Sequence, residues 1–361
     1  MSKAYPLLVK EVNRETSDSV SITFEVPESL RGIFRFIPGQ YLTLRKVIGG
    51  EEVRRAYSLC SAPYENKWQV AVKRVPNGKF SVFANDILKA GDTLEVFPPE
   101  GKFTPTIYED AAYISYLAFV AGSGITPVMS ILKHLLYTSD KARFTLFYGN
   151  KTAEDILFKD ELANLKNRYL DRLSIYHIFS REEPASPLFF GRIGGDKVKT
   201  YAEKLFQPSD VTEYFACGPG EMVMDVVDTL RELGVEASRL KYELFTPAKA
   251  KDSPSDQKGE ADQVDTSSHD KVKLLVELDG DDFSLEADPR LTILDTGLMN
   301  DLDLPYACKA GICCTCKAKL LEGEVKMERA DSLDQDEIDA GYILTCQAFP
   351  KSDTVKVDFD I

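Results

Sequence analysis

The sequence predicts a multi-domain protein of mixed β and α/β class: an antiparallel β-barrel, then a parallel α/β domain, then a small sheet crossed by one helix. Three observations carry that reading. Apolar residues recur with a period of two through the first hundred positions, strand and helix patterns alternate from about Tyr113 to Leu230, and period-two alternation returns after a polar stretch at 247–270. The expected boundaries are 1–108, 109–246, 247–270 and 271–361.

In the first domain Val20, Ile22, Phe24 and Val26 alternate, as do Trp68, Val70 and Val72, with turn signals at Ile48-Gly49-Gly50 and Pro76-Asn77-Gly78. In the second, 116–122 reads as a short apolar strand, and Val128, Ile131, Leu132, Leu135 and Leu136 then share one helical face. Residues 144–149 and 214–218 are further buried strands, the latter followed by a helix carrying Val223, Val226, Val227 and Leu230. Strands separated by helices pair in parallel. Residues 247–270 hold almost no large apolar side chain and are rich in Ser, Asp, Lys and Pro, the composition of a flexible tether. Beyond them Val272, Leu274, Val276 and Leu278 alternate up to an Asp279-Gly280 turn, a second strand follows, and 291–299 is expected to be helical.

Net charge over the 361 residues is −14, unevenly spread: 31 Lys/Arg face 32 Asp/Glu in 1–246, 3 face 6 in 247–270, and 10 face 20 in 271–361. So acidic a final domain argues against nucleic acid and would be steered towards a basic surface on a partner protein; solubility alone is the alternative. No apolar run approaches the roughly 18 residues that span a bilayer, and the N-terminus has no apolar core of signal-peptide length. A cytoplasmic address without membrane association is expected, where thiols stay reduced and clustered cysteines bind metal or do redox work.

Four of the seven cysteines fall within 308–316. Cys308, Cys313 and Cys316 have the spacing C-x4-C-x2-C, and Cys346 follows, a set of four thiolates able to hold a [2Fe-2S] centre. Small residues Ala310 and Gly311 let the backbone fold over inorganic sulfides and offer them N–H groups. Cys314 is offset from the ligand spacing and reads as a small packed residue. A zinc site is the alternative, although zinc knuckles usually use two short C-x2-C pairs and here the fourth cysteine stands alone. The segments 303–325 and 341–348 resemble a plant-type ferredoxin, which implies a β-grasp fold for the last domain.

A centre of that kind moves single electrons, and the first domain holds a candidate source. Arg55-Ala56-Tyr57-Ser58 resembles the R-x-Y-S flavin motif of the ferredoxin-NADP reductase family. Arg can fork onto a diphosphate, Tyr can stack on the flavin and Ser can hydrogen-bond near its reactive nitrogen; an exposed Arg beside a core Tyr is the plainer reading. The same resemblance adds Val72 and Lys73, and Lys79, Phe80 and Ser81 of a turn offering backbone N–H groups. In the second domain Gly122, Ser123, Gly124, Thr126 and Pro127 lie between a strand and a helix, where amides and the helix N-terminus can meet a diphosphate, with an ordinary tight turn as the alternative. Cys217-Gly218-Pro219, with Met222, resembles the family's C-G-P element beside the nicotinamide; a buried structural cysteine is the alternative. Glu243 and Phe245 stand where the family brings an acidic residue and an aromatic close to the flavin.

The resemblance implies Ser58, Cys217 and Glu243 at the reacting contact, and FAD rather than FMN. Lys151, Ser180 and Arg181 suit a 2'-phosphate, so NADPH is expected over NADH, with Glu182 the nearest acidic residue. Flavin barrel, nucleotide domain and ferredoxin in that order resemble the oxygenase reductases. The chain is therefore expected to link NADPH, FAD and a [2Fe-2S] cluster to a di-iron, multi-subunit oxygenase component. Reductases of aromatic-ring or steroid hydroxylating oxygenases share that architecture, and a stand-alone flavin diaphorase with a sensing ferredoxin module is a further reading; no residue names the acceptor.

Overall fold

A computed structural model describes residues 3–108, 113–246 and 271–360. They fall into two compact units, one ending at Thr246 and the other containing 271–360. The expected tether at 247–270 lies outside the described residues.

In the first unit β1 (Tyr5–Thr16), β2 (Ser19–Glu25), β3 (Tyr41–Ile48), β4 (Glu51–Ser58), β5 (Trp68–Lys73) and β6 (Thr93–Val96) form an antiparallel sheet in the order β4-β3-β6-β1-β2-β5. The sheet closes into a barrel. Leu59, just after β4, bridges Val70 of β5, and the Cys60 N–H donates to the Gln69 carbonyl at 2.8 Å. Leu7, Ile22, Phe24, Val70 and Val72 fill the interior together with Phe80 and Ala84 of α1 (Lys79–Asp86). Alternation marks one buried face, yet β2 and β5 are buried on both: Ser21, Thr23 and Gln69 are buried too. The cause is tertiary, because Cys60 and Ala71 join the apolar core of the α/β half of the same unit.

That half contains β7 (Ile114–Ala121), α2 (Ile125–Thr138), β8 (Ala142–Asn150), α3 (Lys159–Arg168), β9 (Leu173–Phe179), α4 (Gly195–Lys204), β10 (Glu213–Gly218), α5 (Gly220–Glu232) and β11 (Leu240–Leu244). Its strands are all parallel, in the order β11-β10-β7-β8-β9. Residues 116–120 of β7 are all buried, the near-continuous apolar run of a parallel strand covered on both faces. Strand order reverses between β7 and β10. In open α/β sheets the crevice outside the carboxyl ends at such a point is the ligand site.

The second unit pairs β12 (Val272–Leu278), β13 (Asp281–Ala287), β14 (Lys317–Glu322), β16 (Tyr342–Leu344) and β18 (Thr354–Asp358) in the order β13-β12-β18-β14-β16, with β15 (Val325–Met327) and β17 (Ala348–Pro350) as a separate hairpin. Among the described residues of this unit only β12 and β18 run parallel. Helix α6 (Ile293–Met299), capped by the Thr292 hydroxyl, buries Ile293 and Leu294 against this sheet, and the short α7 (Gln335–Asp339) precedes β16. Barrel, parallel α/β half and C-terminal β-grasp sheet are thus the predicted architecture. Among the described residues no helix is long and apolar enough to cross a membrane.

Candidate functional site

The crevice is floored by the ends of β7 and β10. Gly122 turns the chain with φ +55°, a conformation that costs glycine little, and among the described residues a Cβ there would meet nothing within 4 Å. Gly124 is small for another reason: its Cβ would fall 2.2 Å from the Cys217 carbonyl oxygen. The two loops therefore touch backbone to backbone. Thr126 Oγ1 donates to the Ser123 carbonyl at 2.9 Å, and Pro127 occupies the first turn of α2, where no N–H is missed. The Tyr148 hydroxyl donates to the Gly122 carbonyl at 3.1 Å. Across the crevice Gly218, with φ +148°, lies between Ala121 and Met222, and Pro219 precedes the first turn of α5. Phe245 donates its N–H to the Gly218 carbonyl at 2.9 Å, and Thr246 Oγ1 accepts from Gly220 N at 3.2 Å.

Three predicted residues meet here from different elements. The parallel register sets Cys217 beside Glu243 on one side and Val120 on the other. Burial, reinforced by Glu243, pushes the Cys217 thiol well above its ordinary range. Burial likewise raises the Glu243 carboxyl to about 8, against a hydrogen bond from Ser58, the buried last residue of β4. Among the described residues Glu243 Oε2 is buried with no hydrogen-bond partner. Such an oxygen is ready to bond a group placed beside it.

On the barrel side Tyr57 meets Phe80 with ring centroids 5.4 Å apart, and burial pushes its phenol upward. Arg55 is exposed and donates to the Arg54 carbonyl at 2.6 Å; Ala56 lies between them and Ser58 on β4. Val72 is buried in the barrel core, and Lys73 ion-pairs with Asp18 at 3.4 Å. The expected turn at 78–81 is instead the start of α1. The Pro76-Asn77-Gly78 break turns the chain, and Phe80 and Ala84, four residues apart, then share the helix face buried in the barrel. Gly78 has no side-chain capping bond, Ser81 Oγ accepts from Val75 N at 3.1 Å, and Lys79 pairs with Glu51. An eight-residue helix thus presents its first N–H groups without a side-chain cap.

Beyond β8 and β9 the pairing continues: Ser180 N donates to the Asn150 carbonyl at 3.0 Å and Arg181 N to the Lys151 carbonyl at 2.9 Å. Lys151, Ser180 and Arg181 are thereby brought together, with Lys151 and Arg181 exposed. Glu182 turns elsewhere, accepting from Ala153 N at 2.7 Å.

In the second unit the four predicted thiols form two pairs. Cys313 stabilises the Cys308 thiolate most, and the N–H groups of Ala310, Ile312 and Cys313 add to it, so that Cys308 falls to about 6 despite burial. Cys316 does the same for Cys346, helped by the N–H of Gly311 and by Gln347. Ala310 N lies 3.3 Å from Cys308 Sγ. Lys309 and Gly311 have φ +54° and +75°, which turns successive amides towards the sulfurs. Among the described residues no group of three or more His, Cys, Asp or Glu is placed about a single metal ion. Two cysteine pairs lined with backbone donors are a donor set that would fit a [2Fe-2S] centre. The Cys314 thiol donates to the Ser332 carbonyl at 3.0 Å.

Residues 6–104 match the model of oxidoreductase FAD-binding domains, 119–228 that of oxidoreductase NAD-binding domains, and 276–351 that of 2Fe-2S iron-sulfur cluster binding domains. One of the subunits of 1,2-phenylacetyl-CoA epoxidase from Escherichia coli (strain K12) is 41% identical over 364 residues, covering 100% of this chain and 99% of that protein. The ferredoxin reductase component of 3-ketosteroid-9-alpha-monooxygenase from Rhodococcus rhodochrous is 36% identical, covering 99% and 97%. The chain belongs to the oxygenase reductases. This oxygenase reductase shares its fold with phthalate dioxygenase reductase at a TM-score of 0.59 and 24% identity, covering 99% of this chain and 98% of that one. It is an NAD(P)H-dependent oxidoreductase with sites for FAD, a nicotinamide coenzyme and a [2Fe-2S] cluster, and its counterpart is an oxygenase component.

The uncapped α1 N-terminus, the open space over Gly122, the orphaned Glu243 oxygen and the paired thiols fit those groups. Sequence reasoning about this oxygenase reductase missed Tyr148, whose hydroxyl holds the Gly122 carbonyl. A tyrosine near the carboxyl end of a buried strand was the available signal. It also missed Thr246 beneath the first turn of α5.

Proposed function

We propose that this oxygenase reductase is the NADPH-dependent reductase of a di-iron, multi-subunit oxygenase that epoxidises phenylacetyl-CoA during cytoplasmic phenylacetate degradation. The convergence of Ser58, Cys217 and Glu243, from β4, β10 and β11, carries the reading of the reacting centre. Full-length identity to a component of phenylacetyl-CoA epoxidase supports the choice of acceptor.

When bound, FAD and the cluster supply the step from an electron pair to single electrons. The chain's own residues place them. Arg55, Ser81, Lys79 and the first N–H groups of α1 hold the flavin diphosphate. Tyr57 over Phe80 offers an apolar face, with Ala56 beside it on β4, while Val72 packs in the barrel core behind and Lys73 is held by Asp18. Amides over 122–127 meet the coenzyme diphosphate, while Gly218, Pro219, Met222 and Phe245 close the crevice. Glu243 keeps its proton at neutral pH, so the carboxyl can donate a hydrogen bond that a carboxylate could not. Ser58 orients it. Cys308, Cys313, Cys316 and Cys346 hold the cluster.

Lys151, Ser180 and Arg181 suit a 2'-phosphate, and the Ala153 N–H occupies the Glu182 carboxylate that could otherwise take a free 2'-hydroxyl. Both support NADPH. A second reading, service to a steroid-hydroxylating oxygenase, is favoured by the 36% identity to a ketosteroid monooxygenase reductase component. One experiment separates them. The reconstituted protein is mixed anaerobically with NADPH or NADH while flavin and cluster absorbance are followed, then coupled to a purified phenylacetyl-CoA epoxidase oxygenase or to a 3-ketosteroid oxygenase. Faster bleaching by NADH overturns the coenzyme assignment, and product from the steroid system alone overturns the acceptor.

A further inference from the structure

One face of α2 is bolted to the barrel. Ser130, Lys133 and Tyr137 stand at helical spacing, and each grips the segment 59–65 that runs on directly from Ser58. Ser130 Oγ donates to the Ser61 carbonyl at 2.6 Å, with both residues fully buried. Tyr137 stacks on Tyr64 with ring centroids 3.9 Å apart. Between them Lys133, 2% exposed, places Nζ 2.9 Å from Glu65 of the barrel and 2.9 Å from Glu161 of α3. Burial works against the Lys133 charge, and the two carboxylates more than offset it.

A buried ammonium is an expensive way to hold two surfaces together, because an apolar chain of the same size is often as stabilising. What an ion pair adds is a fixed partner and a fixed distance. The N-terminus of α2 carries the 122–127 loop, and 59–65 follows the 55–58 strand end. Whatever fixes α2 against 59–65 fixes the nucleotide loop against the flavin motif.

We propose that the Lys133–Glu65 bridge is a positioning device that sets how nicotinamide and flavin face each other, rather than a source of stability. Lys133 touches neither group; it acts through α2. The inference rests on the assignment of 55–58 and 122–127 to the flavin and the coenzyme. Glu161 serves as the internal control, since its bridge to Lys133 stays within the α/β half. Glu65 also accepts from Ala62 N at 2.5 Å, a bond that a glutamine oxygen can still make.

The test compares the full-length, cofactor-loaded wild type with Glu65→Gln, Glu161→Gln and Lys133→Met in anaerobic rapid mixing with saturating NADPH. Glu65→Gln and Lys133→Met are expected to slow flavin reduction at saturation about tenfold and to weaken the long-wavelength charge-transfer absorbance between nicotinamide and flavin. The half-saturating NADPH concentration, flavin content and Tm should stay at wild-type values. Glu161→Gln should remain within about twofold of wild type. Glu65→Gln at the wild-type rate, Glu161→Gln as slow as Glu65→Gln, or loss of flavin or of fold in Glu65→Gln each overturns the proposal. A wild type that binds no flavin, or whose flavin NADPH fails to bleach, instead overturns the site assignment beneath it.

Discussion

Cys217 and Glu243 are register partners across the parallel pair β10 and β11; burial raises the pKa of both, and Glu243 raises that of the thiol further. Burial favours the uncharged form of each. The reacting end of the crevice thus disfavours charge on both groups.

Glu243 makes stability pH-dependent in a stated direction. Its carboxyl goes from an ordinary 4.5 to about 8 in the folded chain, so between those values the folded state binds more protons than the unfolded one. Stability therefore falls as pH rises through that window. Glu243→Gln is expected to flatten the decline in Tm between about pH 5 and 8; a slope unchanged from wild type would contradict the assignment.

Gly124→Ala places a methyl where the Cys217 carbonyl already is. Separating the loops should cost about 1–3 kcal/mol and lower Tm by several degrees. Coenzyme binding should weaken together with stability, whereas Gly122→Ala, with open space around its Cβ, should cost only its left-handed backbone. Equilibrium denaturation and coenzyme titration of both variants check the order.

The cysteines should separate cleanly in an iron and acid-labile sulfide assay. Cys313→Ser and Cys346→Ser are expected to lose most of the bound iron and the reduced-cluster paramagnetic signal. Cys314→Ala, which gives up only a bond to the Ser332 carbonyl, is expected to keep both.

Arg181→Ala should raise KM for NADPH about tenfold or more and leave KM for NADH within about twofold, because only one coenzyme carries the phosphate that a guanidinium would bind. Equal effects on both would remove Arg181 from the ribose site.

Much of this was legible in the chain. The alternations at Val20–Val26 and Val272–Leu278, the helical faces of α2 and α5 and the C-x4-C-x2-C spacing are local signals, and local signals survive without coordinates. Helix α1 was hidden because Pro76-Asn77-Gly78 reads as a hairpin turn, and only the barrel interior gives Phe80 a place to pack. Cys60 and Ala71 join an apolar core supplied by the distant α/β half of the chain, which alternation within the barrel strands cannot show. Lys133 resembles any surface lysine on a helix until Glu65 and Glu161 arrive from distant parts of the chain. The raised Glu243 carboxyl is likewise a property of enclosure, which no residue type announces.

The Gly124 contact with the Cys217 carbonyl also limits how this protein can be diversified. A floor where two main chains touch admits almost no new side chain, so a lineage or a laboratory library seeking another coenzyme has to vary the rim. Exposed Lys151 and Arg181 are where such variation is tolerated, and randomising those codons is the productive place to begin.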